Sequence, residues 1–289
     1  MKTLYKINFL LKKVFPDKLY SRIRLVLLKL YQLRLHVFTE MEIREVIDNF
    51  GIKKGAVVFV HSSMNQIKTE FPFYKLIEIL MDIVGQEGTI LFPCWQDIPD
   101  INEYVKQDKV FDVKRTPTYL GILPEFARRR SDAIRSLSPF NSVVAIGKKA
   151  QEMVKDHHLD ELSCGRKSPF FKLVENNGFI LGLGVTTRYL TFVHCIEDTF
   201  PAQFPIQTRN TELTPMKVKT LKGEEIIVNV KLQHKNIKRR DIPAFLKNHI
   251  DPESGKDIKI RNTNFFIAKA ELLYNEMQKL AKEDITIYS

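Results

Sequence analysis

His194 is the residue in this sequence best placed to move a proton. It lies in Thr191-Phe-Val-His194-Cys-Ile-Glu197-Asp198. On a helix, positions three and four apart share a face, so Glu197 and Asp198 can both reach the imidazole. A carboxylate on one ring nitrogen fixes the tautomer and leaves the other nitrogen free as a base. The plain alternative is a helix carrying a buried, satisfied histidine. A second candidate is His61-Ser62-Ser63, which follows the apolar run AVVFV (56–60). In open α/β sheets, ligands bind beyond the carboxyl ends of strands, where hydroxyls and backbone N–H groups can hold phosphate or amide groups. The alternative there is a polar turn in which a serine caps the next element.

Other patterns exclude more than they promise. His157-His158-Leu-Asp160-Glu161 has metal-ligating residue types, but adjacent histidines on a helix point apart, so surface polar residues are expected. Gly182-Leu-Gly184 lacks the third glycine and the acid of a dinucleotide fingerprint. No P-loop, HExxH or zinc-type cysteine pattern occurs. Cys195 adjoins His194, but neighbours on a helix do not face each other, so it is no nucleophile candidate. Cys94, Cys164 and Cys195 form no CxxC. Free thiols fit a reducing compartment, hence a cytoplasmic location.

These residues need elements to hold them. Thr39–Phe50 predicts a helix with Thr39 as N-cap and Glu42 in the capping-box position. Strands are predicted at 56–60, 88–93, 143–146 and 179–183, with helices at 73–84, 118–130, 148–155 and 190–200. Residues 94–114 show little periodicity and predict a long loop. Lys222-Gly223 predicts a hairpin over 217–230, and helices at 244–250 and 268–282 close the chain. Alternating strands and helices argue for an α/β layered domain with a central sheet.

Charge divides the chain in two. Residues 1–38 hold six Lys and three Arg against Asp17, a charge of +8 out of the total +11 over 289 residues. The body, 39–289, is therefore nearly neutral. From Lys18 onward, apolar side chains recur at 19, 23, 26, 27, 30 and 33, a basic amphipathic helix. Such a helix can lie on an anionic membrane or dock on the body or a second subunit. Pro16-Asp17 separates it from an expected shorter helix. Its charges exclude a membrane span, which needs roughly 20 apolar residues. The clusters Arg128-Arg129-Arg130 and Lys238-Arg239-Arg240 could meet phosphates, but no nucleic-acid-binding module surrounds them, so solvated faces are expected.

Six blocks run through the body: FGIKKGAVVFVHSSM (50–64), VGQEGTILFP (84–93), FDVKRTPT (111–118), RSLSPFNSVVAIG (135–147), CGRKSPFFKL (164–173) and ILGLGVTTRYLTFVHCIED (180–198). In this order they resemble the aminoglycoside 3-N-acetyltransferase family. The resemblance runs from about residue 42 to about 200, then loosely to the C-terminus. It implies a three-layer α/β/α fold around a mixed central sheet, acetyl-coenzyme A as co-substrate and no metal. His194 matches the family's catalytic histidine, Glu197 the acid three residues on, and Thr191 the threonine before it. Ser62, Ser63 and Thr116 match positions near the bound acetyl-coenzyme A. Arg135 and Ser142 match a block lining the same cleft. The sequence departs at Ser138, where the block often has His, at Arg166 and Lys167, and in residues 1–38, which the short antibiotic-modifying enzymes lack.

The implied chemistry is direct amine acetylation. His194 would take a proton from the incoming amine, Glu197 would orient it, and a backbone N–H or the Thr191 hydroxyl would stabilise the developing oxyanion. An aminoglycoside is a polycation and calls for an acidic site. Arg128, Arg129, Arg130, Arg135, Arg166 and Lys167 point instead to an anionic acceptor, an amino sugar on a nucleoside diphosphate used in surface polysaccharide synthesis. The alternatives are an aminoglycoside acceptor with antibiotic resistance, and a catalytically inactive membrane-peripheral binding protein. A nucleic-acid partner is supported only by the pI and is not expected. A peripheral contact with the inner membrane face through residues 1–38, or a homo-oligomer, remains compatible with the arm.

Overall fold

The structure is a computed structural model that describes residues 16–234, 237 and 240–288. The shorter helix expected before Pro16, and Lys238 and Arg239 of the second basic cluster, lie outside the described residues. The strands are β1 (Val37–Phe38), β2 (Val57–Ser62), β3 (Lys68–Thr69), β4 (Thr89–Pro93), β5 (Val110–Asp112), β6 (Ala133–Arg135), β7 (Val143–Gly147), β8 (Phe179–Leu183), β9 (Arg209–Lys219), β10 (Glu225–Gln233), β11 (Gly255–Ile260) and β12 (Thr263–Lys269).

The runs VVFV and ILF are apolar at every position, the pattern of strands covered on both faces. They form the centre of a mixed seven-stranded sheet in the order β11-β12-β8-β2-β4-β7-β6. β8, β2 and β4 are mutually parallel; β12 and β7 flank them antiparallel. Alternate side chains serve opposite cores. Val57, Phe59, Leu91 and Ile180 pack with the helices Pro169–Glu175, His194–Thr199, Ile242–His249 and Ala270–Ala281. Val58, Val60, Ile90 and Leu181 pack with Glu40–Asn49, Lys75–Val84 and Ile122–Arg128. This is the three-layer α/β/α arrangement. The Thr39–Glu42 capping box forms as expected, and Gly85, at φ +67°, ends the helix before it.

Several expectations are corrected. Residues 94–114 are no plain loop. Asp100 caps a one-turn-and-a-half helix, Ile101–Lys106, by accepting from the N–H groups of Asn102 and Glu103, and β5 follows. Both pieces are too short to leave a periodic signal, yet Tyr104, Phe111 and Val113 bury against Met216, Val218, Val228 and Val230. The hairpin is longer than predicted, 209–233, and forms a second sheet with β5. The helix expected from 118 begins at Ile122, because Gly121 takes φ +110°. The helix expected over 190–200 is split: Thr191–Val193 is a 3-10 turn, and the α-helix starts at His194. Residues 268 and 269 belong to β12, and the last helix begins at Ala270.

In the arm, Asp17–Leu33 is helical as the spacing predicts. Its end is tied to the body. β1 pairs in parallel with β3, Phe38 is buried in the core, and the Asn262 amide donates to the Arg34 carbonyl at 3.1 Å.

Candidate active site

The three parallel strands end side by side, and Ser62, Pro93 and Gly184 at their carboxyl ends line a cleft of about 1140 Å³. This is where an open α/β sheet places a ligand. Gly184 holds the corner at φ +73°; a Cβ there would stand 2.7 Å from the Ser63 carbonyl oxygen. The Ser63 N–H donates to the Leu183 carbonyl at 2.9 Å, so the His61-Ser62-Ser63 turn is pinned to β8. The other walls come from Trp95 and Tyr119, from Phe140 and Asn141, from residues 230–233 of the hairpin, and from Arg24 and Leu28 of the arm helix.

His194 reaches the cleft from the first position of its helix. Its side chain is 12% exposed and that of Glu197 2%. Glu197 Oε1 accepts from His194 Nδ1 at 2.8 Å, which leaves Nε2 as the other ring nitrogen. Glu197 Oε2 accepts from the Tyr288 hydroxyl at 2.7 Å, and Arg209 approaches Oε1 at 3.6 Å. Burial alone would raise the Glu197 carboxyl; the His194 and Arg209 charges and these hydrogen bonds outweigh it and hold it below the usual carboxylate range. Asp198, the alternative partner, points elsewhere. It binds the Arg209 guanidinium through both oxygens, at 2.7 and 2.8 Å, and accepts from the Cys164 N–H at 2.9 Å. Burial disfavours both charges of this pair, but their mutual attraction holds Arg209 protonated. Cys195 is fully buried outside the cleft lining, and burial pushes its thiol well up.

The remaining predicted site residues divide. Thr191, Ser62 and Ser63 line the cleft with His194. The Thr191 hydroxyl leans toward the Tyr189 carbonyl at 3.5 Å. Arg135 and Ser142 are buried behind the lining. Both donate to the Cys94 carbonyl, Arg135 also to the Thr116 carbonyl at 2.6 Å, and its guanidinium lies 4.6 Å over the Phe111 ring. They brace the backbone next to Pro93 and Trp95 and are not part of the cleft lining. Thr116 lines a separate hollow of about 470 Å³ beside Tyr119, where its hydroxyl accepts from the Asp112 N–H at 2.9 Å. Ser138 donates to the Phe140 carbonyl at 2.7 Å and so shapes the loop that carries Phe140 and Asn141.

Other expectations change with burial. His157 is fully buried, not a surface residue. Its Nε2–H donates to the Ser163 carbonyl at 2.8 Å, and its Nδ1 accepts from Ser136 at 2.9 Å. Arg128 and Arg129 are paired with Glu125, and Arg130 with Asp132. Arg166 lies over Phe171 and Phe200. None of the cations from 128 to 167 lines the cleft; Arg24, Arg188, Arg209, Lys231 and Arg240 do. Among the described residues no three His, Cys, Asp or Glu side chains converge as a metal site would.

The sequence profile of the aminoglycoside 3-N-acetyltransferase family matches residues 59–282. The chain belongs to this family. It is 30% identical over 172 residues to aminoglycoside N(3)-acetyltransferase III of Pseudomonas aeruginosa, covering 55% of this chain and 63% of that protein. It is also 30% identical over 182 residues to the aminoglycoside N(3')-acetyltransferase-like protein YokD of Bacillus subtilis, covering 57% and 66%. The matched stretch thus spans under two thirds of these relatives' length. Among solved structures, aminoglycoside acetyltransferase AAC(3)-Xa superposes with a TM-score of 0.73 at 22% identity, over 86% of this chain and 94% of that one. AAC-IIIb, in a binary complex with CoASH, gives 0.71 at 22%, over 88% and 100%. At these identities the likeness establishes the acetyltransferase fold.

Three residues of this candidate site escape the sequence reading. Arg209 and Tyr288 reach Glu197 from the hairpin and the C-terminal segment, and no local spacing announces them. His61 stands in its motif, but nothing local announces its burial. It is buried at the cleft, its ring beside those of Phe59 and Phe266, and its Nε2 has no hydrogen-bond partner among the described residues. Burial pushes its pKa down to about 3, so the ring is neutral.

Proposed function

We propose that the protein is an acetyl-coenzyme A-dependent N-acetyltransferase acting on the amine of an amino sugar of the aminoglycoside type. One observation carries the reading: an imidazole whose Nδ1 is locked on a buried carboxylate stands in the wall of the cleft at the strand ends. The chain's own groups suit the donor. Arg24, Arg188 and Arg240 bring positive charge for phosphates, Ser62 and Ser63 offer hydroxyls and backbone at the end of β2, and His61 Nε2 is a buried polar atom left unmatched next to them. Acetyl-coenzyme A supplies an acetyl group already activated as a thioester.

His194 Nε2 then takes the proton of the attacking amine, since nitrogen must present a lone pair to react. The C–N bond forms as the thioester C–S bond breaks, and coenzyme A leaves as a thiol carrying the proton that His194 returns. Glu197 keeps Nδ1 protonated and offsets the charge that the ring acquires. Tyr288 and Arg209 hold Glu197 ionised and in place. The Thr191 hydroxyl and backbone N–H groups at the cleft wall are the donors at hand for charge growing on the acyl oxygen.

A second reading concerns the acceptor. Among the described residues the cleft lining holds five Arg and Lys, of which Arg209 is paired with Asp198 and Lys231 with Glu161, and no Asp or Glu, which is poor ground for a polycation. An anionic amino sugar, such as one linked to a nucleoside diphosphate, meets that lining better. The names of the relatives favour the aminoglycoside. Mass spectrometry of reactions with acetyl-coenzyme A and both acceptor classes decides. A mass increase of one acetyl group on an aminoglycoside supports the first reading, the same increase only on nucleotide-linked amino sugars supports the second, and none on any amine overturns both.

A further inference from the structure

Helix Asp17–Leu33 is seated on one face and bare on the other. Tyr20, Leu27, Leu28 and Tyr31 are half-buried, and Arg24 and Leu28 beside them reach the cleft wall. Leu19, Val26, Leu30 and Leu33, spaced by seven, four and three, share an outward face. All are exposed, Val26 by 56% and Leu30 by 53%. Arg22 and Lys29 border this stripe, both exposed. No Asp or Glu occurs from 18 to 39, and residues 1–15 add four Lys and no acid. A single exposed leucine needs no explanation; a contiguous apolar stripe edged with bases does.

The helix is not long and apolar enough to cross a membrane. It suits the plane of one: aliphatic side chains at the acyl boundary, Arg and Lys at the lipid phosphates. Charge argues against the rival occupant, a second copy of this chain. A symmetric pairing would set this face on itself and oppose two arms of +8 each.

We propose that the outer face of helix Asp17–Leu33 docks the protein on an anionic lipid surface, while its inner face remains part of the cleft wall. The body is thereby held by an element that touches both lipid and active site.

The test is flotation of the full chain with vesicles of phosphatidylglycerol and phosphatidylcholine in equal parts, and with phosphatidylcholine alone. The wild type should float with the anionic vesicles and be released by salt. Val26→Asp with Leu30→Asp should weaken partitioning by roughly a hundredfold, and Arg22→Gln with Lys29→Gln by roughly tenfold or more. Acetylation of a soluble acceptor should be unchanged in both variants, so loss of binding is separable from loss of fold or of the proposed activity. A wild type that ignores both vesicle types overturns the proposal. So does a wild-type dimer, by sedimentation equilibrium, that Val26→Asp with Leu30→Asp converts to monomer.

Discussion

In the proposed reaction the His194 imidazole serves as base only if one tautomer is held, and three residues hold it. Glu197 accepts from Nδ1, Tyr288 donates to the far Glu197 oxygen, and Arg209 adds charge nearby. Losing the Tyr288 hydroxyl removes one of the groups that keep Glu197 below the usual carboxylate range, so its carboxyl rises toward neutrality. Tyr288→Phe is expected to lower kcat by roughly tenfold, the worth of a hydrogen bond to a charged group, and to move the acid limb of the pH–rate profile upward. KM for acetyl-coenzyme A should stay put. An unshifted profile with full kcat would remove Tyr288 from the positioning role. His61 makes a different prediction. Its ring is neutral over the working range, so His61→Phe should weaken coenzyme A binding, measured by calorimetry, by about tenfold at every pH. Binding equal to that of the wild type would show that Nε2 makes no bond to the ligand.

At the scale of elements, the cleft exists because three parallel strands end together and one glycine turns the corner after β8. Gly184→Ala must place a Cβ against the Ser63 carbonyl in a conformation that disfavours L side chains. A loss of about 1–3 kcal/mol in denaturant stability is expected, with a matching loss of coenzyme A affinity; wild-type values for both would contradict the role given to this corner. Strands β2, β4, β7 and β8 and the His194–Glu197 pair were legible because their signals are local: unbroken apolar runs and a spacing of three. The rest was hidden where partners come from afar. Arg135 reads as a ligand-facing residue in its block, but only the fold shows it turned onto the Cys94 and Thr116 carbonyls. β11 reads as polar chain because, as an edge strand, it shows Lys256, Asp257 and Lys259 between its apolar residues. His157 reads as surface until Ser136 and Ser163 close on both its nitrogens.

For the whole molecule, buried titratable groups set the acid limit. His61 and His157 have pKa values pushed by burial to about 3 and about 4, against an ordinary 6.5. Each stays neutral when folded but takes a proton when unfolded, so its contribution is complete above about 6.5 and is lost as pH falls toward those values. Glu125, which burial alone would raise, is drawn down to about 2 by Arg128, the Thr118 N–H and Arg129, and loses its contribution between the ordinary 4.5 and about 2. The melting temperature should therefore fall steadily below pH 6.5, and a plateau down to pH 4 would contradict these placements. The charge of the chain also resolves at this scale. The cations lining the cleft come from the arm helix, the turn before His194, the hairpin and Arg240 of the second basic cluster, which lines the cleft where a solvated face was expected, and not from Arg128, Arg129 and Arg130. The central claim is that His194 accepts the proton of the attacking amine. Single-turnover acetyl transfer by His194→Ala, beside coenzyme A binding by the same variant, tests it most directly. The account predicts a rate lower by about 10²–10⁴-fold with coenzyme A affinity retained; a folded His194→Ala variant that transfers acetyl at the wild-type rate would contradict it.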